Sequence, residues 1–417
     1  MTVSLDSKTR SLLTGIACVA AIAGPVTAQG WHIAVGPEST LDIGKIHNAP
    51  NGHISYQQVG GRLTLWVDGR IYDNTPKGTQ GTFILHPASW SSADLEAASP
   101  QLVFKATHDT ADHRCNTDSA WFRNYAAINT VIPGPKPGEL VAFVDGEFHP
   151  DSTGTPLHAS IGVATSTDGI TWTNRRLIIQ GKNMVASGFN CYSVDSLMRR
   201  RTDNVGAAGP SAVIRSEGNE KYIYLYYLDR TLPTSRVSAS ADIYAARALY
   251  SGGGAPGTWQ FWTGKRWSAP GTEVIAQPVV TTPAGGIESA QPQVSYNTVL
   301  KRWLMVFHTH TDLYASASQD GTTWDTPQPL GASTGKNRPP AFPTLVTPDS
   351  TEQQTTGATG LLFYSREVTG PSGNRKSYPG YVRSFTITPG AVRKPPCGTP
   401  RQCCEANGGT WSGKRCT

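Results

Sequence analysis

Short apolar runs, broken every few positions by glycine, proline or asparagine, recur along the whole chain. Ala126 to Phe148 reads AAINTVIPGPKPGELVAFVDGEF, two strand-like runs joined by a Pro- and Gly-rich turn, with Ser160 to Thr165 as the next run. Gly209 to Asp229 (GPSAVIRSEGNEKYIYLYYLD) repeats the form and is followed by Asp242 to Ala248. Ala290 to Thr309, followed by Leu313 to Ser318, and Ala341 to Ser365 repeat it again, and Asn51 to Asp68 fits it at the front. Runs rich in Val, Ile, Tyr, Phe and Trp and bounded by turn residues read as strands. Ser166 to Trp172 and Ser318 to Trp324 share S-x-D-G-x-T-W. Asp-Gly between strand-like runs is a two-residue hairpin signal, because glycine accepts the positive φ of such a turn. Asp168 and Asp320 are therefore expected to shape turns rather than bind a ligand. Four-stranded units repeated radially make a β-propeller. The chain is predicted to be all-β, a five-bladed β-propeller over residues 29–390, with Asp195 to Val205 and Gly252 to Pro270 as inter-blade loops. A two-sheet sandwich with insertions is the alternative.

Composition supports the strands. The 417 residues include 43 Gly, 30 Pro, 11 Trp, 15 Tyr and 11 Phe, and 16% are charged, against roughly 25% in ordinary chains. That excludes a coiled coil or an acidic disordered protein.

The ends differ from the body. Lys8 and Arg10 precede an apolar stretch from Leu12 to Ala23, and Val26-Thr27-Ala28 has the small-x-small form of a signal-peptidase site. Residues 1–28 are thus predicted to be a signal peptide, since the stretch is shorter than the ~20 residues of a membrane span. A secreted protein, extracellular or periplasmic, without integral membrane contact is expected. Beyond Cys18 stand Cys115, Cys191, Cys397, Cys403, Cys404 and Cys416, an even set that reads as disulfides in an oxidising compartment. A Cys115–Cys191 bridge and a knot in the tail, residues 391–417, are expected; zinc is the alternative for the tail. The net charge is +6. Much of it sits in that tail, where Arg393, Lys394, Arg401, Lys414 and Arg415 face one acid, Glu405. The body is nearly neutral, which argues against a nucleic-acid groove. The tail is expected either to staple the last blade or to dock on an anionic cell surface.

The S-x-D-G-x-T-W hairpins, GPSAV followed by YIYLYYLD, and GTWQFWTGKRWSAPG resemble the five-bladed propeller glycoside hydrolases, the superfamily of arabinanases, xylosidases and fructan-cleaving enzymes. The resemblance implies a carbohydrate substrate and no organic cofactor, with structural calcium on the propeller axis in some members. It also implies two carboxyl groups in a funnel at one end of the propeller, one acting as acid and the other as base or nucleophile. Glu288, ahead of the fourth unit, and Glu147, at the end of the second, are the preferred pair, with Asp42 and Asp203 in reserve. Where the family carries Glu-Gly-Pro, this chain has Ala208-Gly209-Pro210, and Asn51 stands where an Asp is common. Alternation puts Asp145, Glu147 and His149 on one strand face, a carboxylate–imidazole grouping suited to proton transfer. His53, Asp145, His149, Arg123, His308 and Arg338 are the candidate substrate contacts. His308, His310 and Asp312 also share a face, but substrate hydrogen bonds explain them without a metal, and no metal site is expected. Trp90, Trp121, Phe122, Trp262 and Trp267 would stack on sugars or, more cheaply, pack between blades. A silent carbohydrate-binding propeller and a sialidase-like enzyme on acidic sugars are the competing functions.

Overall fold

The computed structural model describes residues 30–72, 78–107, 121–149, 157–181, 205–230, 242–272, 274–282, 290–309, 311–331, 340–366, 368–369, 376–390, 411–412 and 415–416. The expected signal peptide lies outside the described residues. So do five of the six cysteines proposed to pair, Cys115, Cys191, Cys397, Cys403 and Cys404.

The chain is nearly all β. It opens with β1 (Trp31–Val35) and β2 (Ser39–Leu41). The first set is β3 (Ser55–Val59), β4 (Arg62–Ile71), β5 (Thr79–Leu85) and β6 (Gln101–Phe104), with α1 (Ser92–Ala97) before its last strand. The second is β7 (Tyr125–Pro133), β8 (Leu140–Phe148), β9 (His158–Ser166) and β10 (Thr173–Ile179). The third is β11 (Val205–Glu217), β12 (Glu220–Asp229), β13 (Asp242–Leu249) and β14 (Gln260–Phe261). The fourth is β15 (Ala290–Asn297), β16 (Arg302–His308), β17 (Leu313–Ser318) and β18 (Gln328–Pro329). The last is built on β19 (Pro340–Val346), β21 (Thr359–Arg366) and β24 (Gly380–Pro389), with the short strands β20 (Thr355–Thr356), β22 (Val368–Thr369) and β23 (Lys376–Ser377) between them. Within each set the neighbours pair antiparallel, and the last set takes β1 as its fourth strand, Trp31 opposite Pro389. The second and third sets also touch through a short parallel pairing of β9 with β11. In the tail β25 (Trp411–Ser412) pairs with β26 (Arg415–Cys416).

Two expectations change. Gln260–Phe261, expected in an inter-blade loop, is the outer strand of the third set and pairs with Ala246 and Arg247. The Asp-Gly segments are longer connections than two-residue hairpins, because the Asp carboxylate organises the backbone around it. Asp168 Oδ1 accepts the N–H groups of Ile170 (2.8 Å) and Thr171 (2.7 Å), and Ser166 Oγ accepts that of Gly169 (2.9 Å). Asp320 and Ser318 repeat these bonds with Thr322, Thr323 and Gly321. Each turn then docks on the preceding set: Trp66 Nε1 donates to the Gly169 carbonyl, and the Tyr226 hydroxyl to that of Gly321, both at 2.9 Å. Their role is structural, as the sequence suggested.

Apolar side chains fill the spaces between successive sets. Trp66 and Ile84 meet Ile128 and Val144; Ile132 and Phe143 meet Leu225 and Tyr227. Tyr224 and Val213 meet Met305 and Phe307, and Leu304 and Val306 meet Leu345 and Tyr364. Phe363 and Val346 then meet Ile54, Tyr56 and Leu65, which brings the last set against the first. Strands flanked on both faces lose alternation: β8 is buried at eight of its nine positions, whereas β1 keeps Trp31 and Ile33 in and His32 and Ala34 out.

A chain of side-chain hydrogen bonds joins the first strands of the sets. The Val131 N–H donates to Ser55 Oγ (2.8 Å), the Ala212 N–H to Thr130 Oγ1 (3.4 Å) and the Val294 N–H to Ser211 Oγ (2.9 Å). The Leu345 N–H donates to Gln293 Oε1 (3.2 Å), and the Ile54 N–H to Thr344 Oγ1 (3.1 Å). The circuit thus returns to the first set. At these buried N–H groups a polar side chain, Ser, Thr or Gln, takes the place of a ladder bond. The arrangement is propeller-like, with the first strands innermost.

Candidate functional site

The ends of the second strands carry the acids. β4 carries Val67-Asp68-Gly69 and β8 Val144-Asp145-Gly146 near their ends, each Asp three residues before the last of its strand; Asp145 lies opposite Ala127, and the Asp68 carbonyl accepts the Asn51 N–H at 3.0 Å. Asp68 is fully buried and Asp145 is 5% exposed. Glu147, two residues further on the same face, reaches solvent and pairs with His149, Glu147 Oε2 to Nε2 at 2.7 Å. Asn124 holds this end in place, taking the His149 N–H on its Oδ1 at 2.8 Å while its own N–H donates to the Glu147 carbonyl at 3.0 Å.

Trp121 explains why the strand end is flat. A Cβ on Gly146 or Gly162 would overlap its ring, so the two glycines form a slot for the indole on the sheet face. Trp121 and Phe122 pack edge to face, 4.7 Å between centroids. Both are spent in the core, as is Trp90.

Tyr125, at the start of β7, lies between the two acidic strand ends. Its hydroxyl oxygen is 2.8 Å from Asp68 Oδ2 and 2.6 Å from the Asn51 carbonyl oxygen. Burial pushes the Asp68 carboxyl well above the usual carboxylate range; hydrogen bonds from Tyr125 and Asn51 oppose this, and the Asp145 and Glu147 charges add to it. Burial likewise raises Asp145 well above its ordinary value, helped by the charge on Glu147 and opposed by the Gly209 N–H and by Arg230. Burial and the charges of Asp68, Glu147 and Asp145 raise the Tyr125 phenol as well. Asp68 Oδ1 and Asp145 Oδ1 have no hydrogen-bond partner among the described residues. Two of the three carboxyls thus favour the protonated form behind a third that faces water. Such a cluster can hold, give and take protons.

The bases of the first strands are bent. Gly209, Gln291 and Phe342 each precede a proline and have positive φ, 60°, 51° and 55°. At each a register shift breaks the pairing with the second strand. For Gly209 this aims the N–H at Asp145 Oδ2, 3.3 Å away.

The expected residues are distributed as follows. Asp145, Glu147 and His149 come together. His53 is fully buried, its Nδ1 3.0 Å from the Pro343 carbonyl and its backbone N–H on Asn129 Oδ1. Burial, with His308 nearby, lowers its pKa to about 3. That makes it a buried residue rather than a surface contact. Arg123 is likewise 1% exposed. His308, at the end of β16, is 8% exposed and lies 6.2 Å from the Phe342 ring. Asp42 is exposed just after β2 and makes no bond to the acidic cluster. Glu288, Asp203, Arg338 and His310 lie outside the described residues. Among the described residues no group of three His, Cys, Asp or Glu side chains is arranged to hold a metal ion. Asp68 and Tyr125 were not anticipated; the repeated Val-Asp-Gly was the signal for Asp68. A groove of about 510 Å³ between Gln57–Gly60 and Pro133–Leu140 lies at the opposite end of these strands, away from the acids.

No protein-family model matches the sequence, and no match to a curated protein is found. Among solved structures the chain is similar to five-bladed β-propeller glycoside hydrolases. One is a GH62 hydrolase in complex with xylotriose, at 10% identity and a TM-score of 0.49, covering 85% of this chain and 98% of that one. Another is an α-L-arabinofuranosidase from Podospora anserina in complex with cellotriose, at 9% and 0.48, covering 85% and 97%. A thermostable family-43 glycoside hydrolase matches at 13% and 0.43, covering 84% and 91%. These likenesses concern the path of the chain and assign no residue.

Proposed function

We propose that this chain is a secreted five-bladed β-propeller glycoside hydrolase acting on a polysaccharide or oligosaccharide, furanoside-containing as for the α-L-arabinofuranosidases. The observation that carries the reading is the Asp145–Glu147–His149 grouping: a water-facing carboxylate joined to an imidazole and backed by a buried carboxyl that favours its proton. Hydrolysis of a glycosidic bond needs one group to protonate the leaving oxygen and another to activate water or attack the anomeric carbon. Glu147 takes the second role, with His149 able to accept and return a proton across the 2.7 Å contact. Glu288, expected across the funnel, takes the first, with Asp203 and Asp42 in reserve. Asp68 and Tyr125 are too buried to touch a sugar and act by fixing the field around Asp145 and Glu147. His149, His308 and Arg338 would bind substrate hydroxyls. Residues 1–28 serve as the export signal, and the disulfide-knotted basic tail staples the last blade or meets the cell surface.

A silent carbohydrate-binding propeller is the second reading. It is favoured by Ala208, which stands where the resembled enzymes carry an acid. Incubating the mature protein with arabinans, xylans and fructans and assaying new reducing ends separates the two. The hydrolase reading expects product from at least one glycan and its loss in Glu147→Gln. Binding without product supports the silent propeller instead.

A further inference from the structure

The first and second strands are joined by Gly60-Gly61 in the first set and by Gly218-Asn219 in the third. In the last set the chain instead runs through residues 347–358 between β19 and β21, and this connection bonds to the first strands of three other sets. The Thr351 carbonyl accepts the Gln58 N–H (2.8 Å), and the Gln353 N–H donates to the Tyr56 carbonyl (3.2 Å), both on β3. Gln354 then bridges two further sets: its Oε1 takes the Ile214 N–H of β11 at 2.6 Å and its carbonyl the Tyr296 N–H of β15 at 2.7 Å. β20 continues along β15, with Thr355 opposite Tyr296, and the Thr356 carbonyl accepts the Thr298 N–H at 2.9 Å. A two-residue turn would connect the strands without any of these contacts. They tie the last set to the first, third and fourth, at the end of the strands away from Asp68 and Asp145.

One carboxyl sits inside this span. Glu352 lies opposite Gln57 in an isolated antiparallel bridge and is half-buried. Gln354 Nε2 donates to its Oε2 at 3.3 Å, so the amide that holds Ile214 is oriented by Glu352. Its titratable neighbours are Tyr56 on β3 and Tyr250 after β13, and Tyr250 also feels Glu139 of the β7–β8 turn. The exposed Lys136 pairs with Glu139 at 3.7 Å. Among the described residues no basic group pairs with Glu352. We propose that residues 350–356 form a pH-sensitive strap, closed across the first strands while Glu352 holds a proton and released at its Glu352 end once the carboxyl ionises. A protonated carboxyl suits a half-dry place with one long hydrogen bond, whereas a carboxylate there has neither a cation nor the donors to replace the water it gives up. Burial outweighs the Gln354 bond and raises the carboxyl above its ordinary 4.5. The folded chain thus keeps a proton that the unfolded chain has released. The stability this lends is full below 4.5 and is lost as the pH rises through the raised value. The strap lies at the far end from the acids and does not depend on the hydrolase reading.

Hydrogen exchange of the full mature chain tests the strap at about pH 4.5 and about pH 7.5, read at single amides as protection factors so that intrinsic exchange cancels. Gln58, Ile214 and Tyr296 report the strap, while Val131, Val294 and Leu345, in the circuit between first strands, report the rest of the fold. The expected result is about tenfold lower protection of the three strap amides at the higher pH, with the circuit amides not following. In Glu352→Gln the neutral amide stands for the protonated acid, and strap protection should be high at both pH values. Gln354→Ala should remove protection from Ile214 at both pH values and leave Val131 protected, the mark of a folded protein without that tie. Strap amides equally protected at both pH values in the parent overturn the switch. So does a pH dependence that survives in Glu352→Gln, or one that the circuit amides share equally. Ile214 still protected in Gln354→Ala overturns the strap itself.

Discussion

The Tyr125 hydroxyl and the Asp68 carboxyl are arranged so that their shared hydrogen bond and the one to Asn51 are both made only if Asp68 holds a proton. The phenol oxygen sits 2.8 Å from Asp68 Oδ2 and 2.6 Å from the Asn51 carbonyl oxygen, yet it has a single hydrogen to donate. With Asp68 protonated, the carboxyl donates to Tyr125 and Tyr125 donates to Asn51, so neither contact is left as a repulsion of lone pairs. Burial of Asp68 drives its pKa in the same direction.

Asp68→Asn should therefore be nearly neutral for stability, because its amide can donate to Tyr125 as the protonated acid does. Asp68→Ala should cost about 1–3 kcal/mol, because it removes the carboxyl that donates to the buried phenol oxygen and leaves its place empty, while the bond from Tyr125 to the Asn51 carbonyl remains. Urea unfolding of both variants checks this. Equal losses would show that Asp68 is ionised in the folded protein.

Replacement of Glu147 by Gln, or of Asp145 by Asn, keeps the shape of the site and removes its proton chemistry. Turnover on whichever glycan is cleaved should fall by about 10²–10⁴ in each, with near-ultraviolet circular dichroism unchanged. A variant that keeps parental turnover removes its residue from the scheme.

Acid stability should depend on two buried histidines. Burial lowers the pKa of His53 to about 3 and that of His158 to about 4, from an ordinary 6.5. Between 6.5 and those values the unfolded chain binds protons that the folded chain refuses, so stability is full above 6.5 and falls as the pH drops. Each histidine contributes a slope approaching 1.4 kcal/mol per pH unit. Asp68 and Asp145 act oppositely: their raised pKa values mean the folded chain keeps protons that the unfolded chain releases above about 3.9, so they favour the fold at low pH. His158 lies opposite Phe148 in the β8–β9 pairing, and His158→Gln should flatten the fall between pH 6.5 and 4 in denaturant titrations. An unchanged slope would mean that His158 is already charged in the fold.

Asp168→Ala and Asp320→Ala should each destabilise by about 1–2 kcal/mol through the two backbone N–H groups released. Kinetic constants should stay at parental values, since both turns lie in the connections after the third strands, away from the acids. A drop in kcat without loss of stability would assign these carboxylates to ligand binding.

Much of the fold was legible in residue order. The runs Ala126–Phe148, Gly209–Asp229, Ala290–Thr309 and Ala341–Ser365 each became a first and second strand, and the Ser-x-Asp-Gly segments became turns. The use of β1 to complete the last set was not visible, because WHIAV alternates like any edge strand and nothing local names its partner, Phe385–Pro389. The acidic site was half visible. Alternation placed Asp145, Glu147 and His149 together, but Asp68 and Tyr125 join them across 57 residues of sequence, through packing of one set on the next.

Local chemistry determined where strands begin, turn and end, since propensity, alternation and turn residues act over a few positions. It also determined that the body is nearly neutral and that its charge gathers in the tail. Tertiary structure alone decided which carboxyls are dry, which imidazole is wholly buried and which meets Glu147, and which side chains stand beside Asp145. Those properties depend on desolvation and on charges brought within a few ångströms, and the approach of Asp68, Tyr125, Asp145 and Gln291 is fixed only once separate β sets pack against one another.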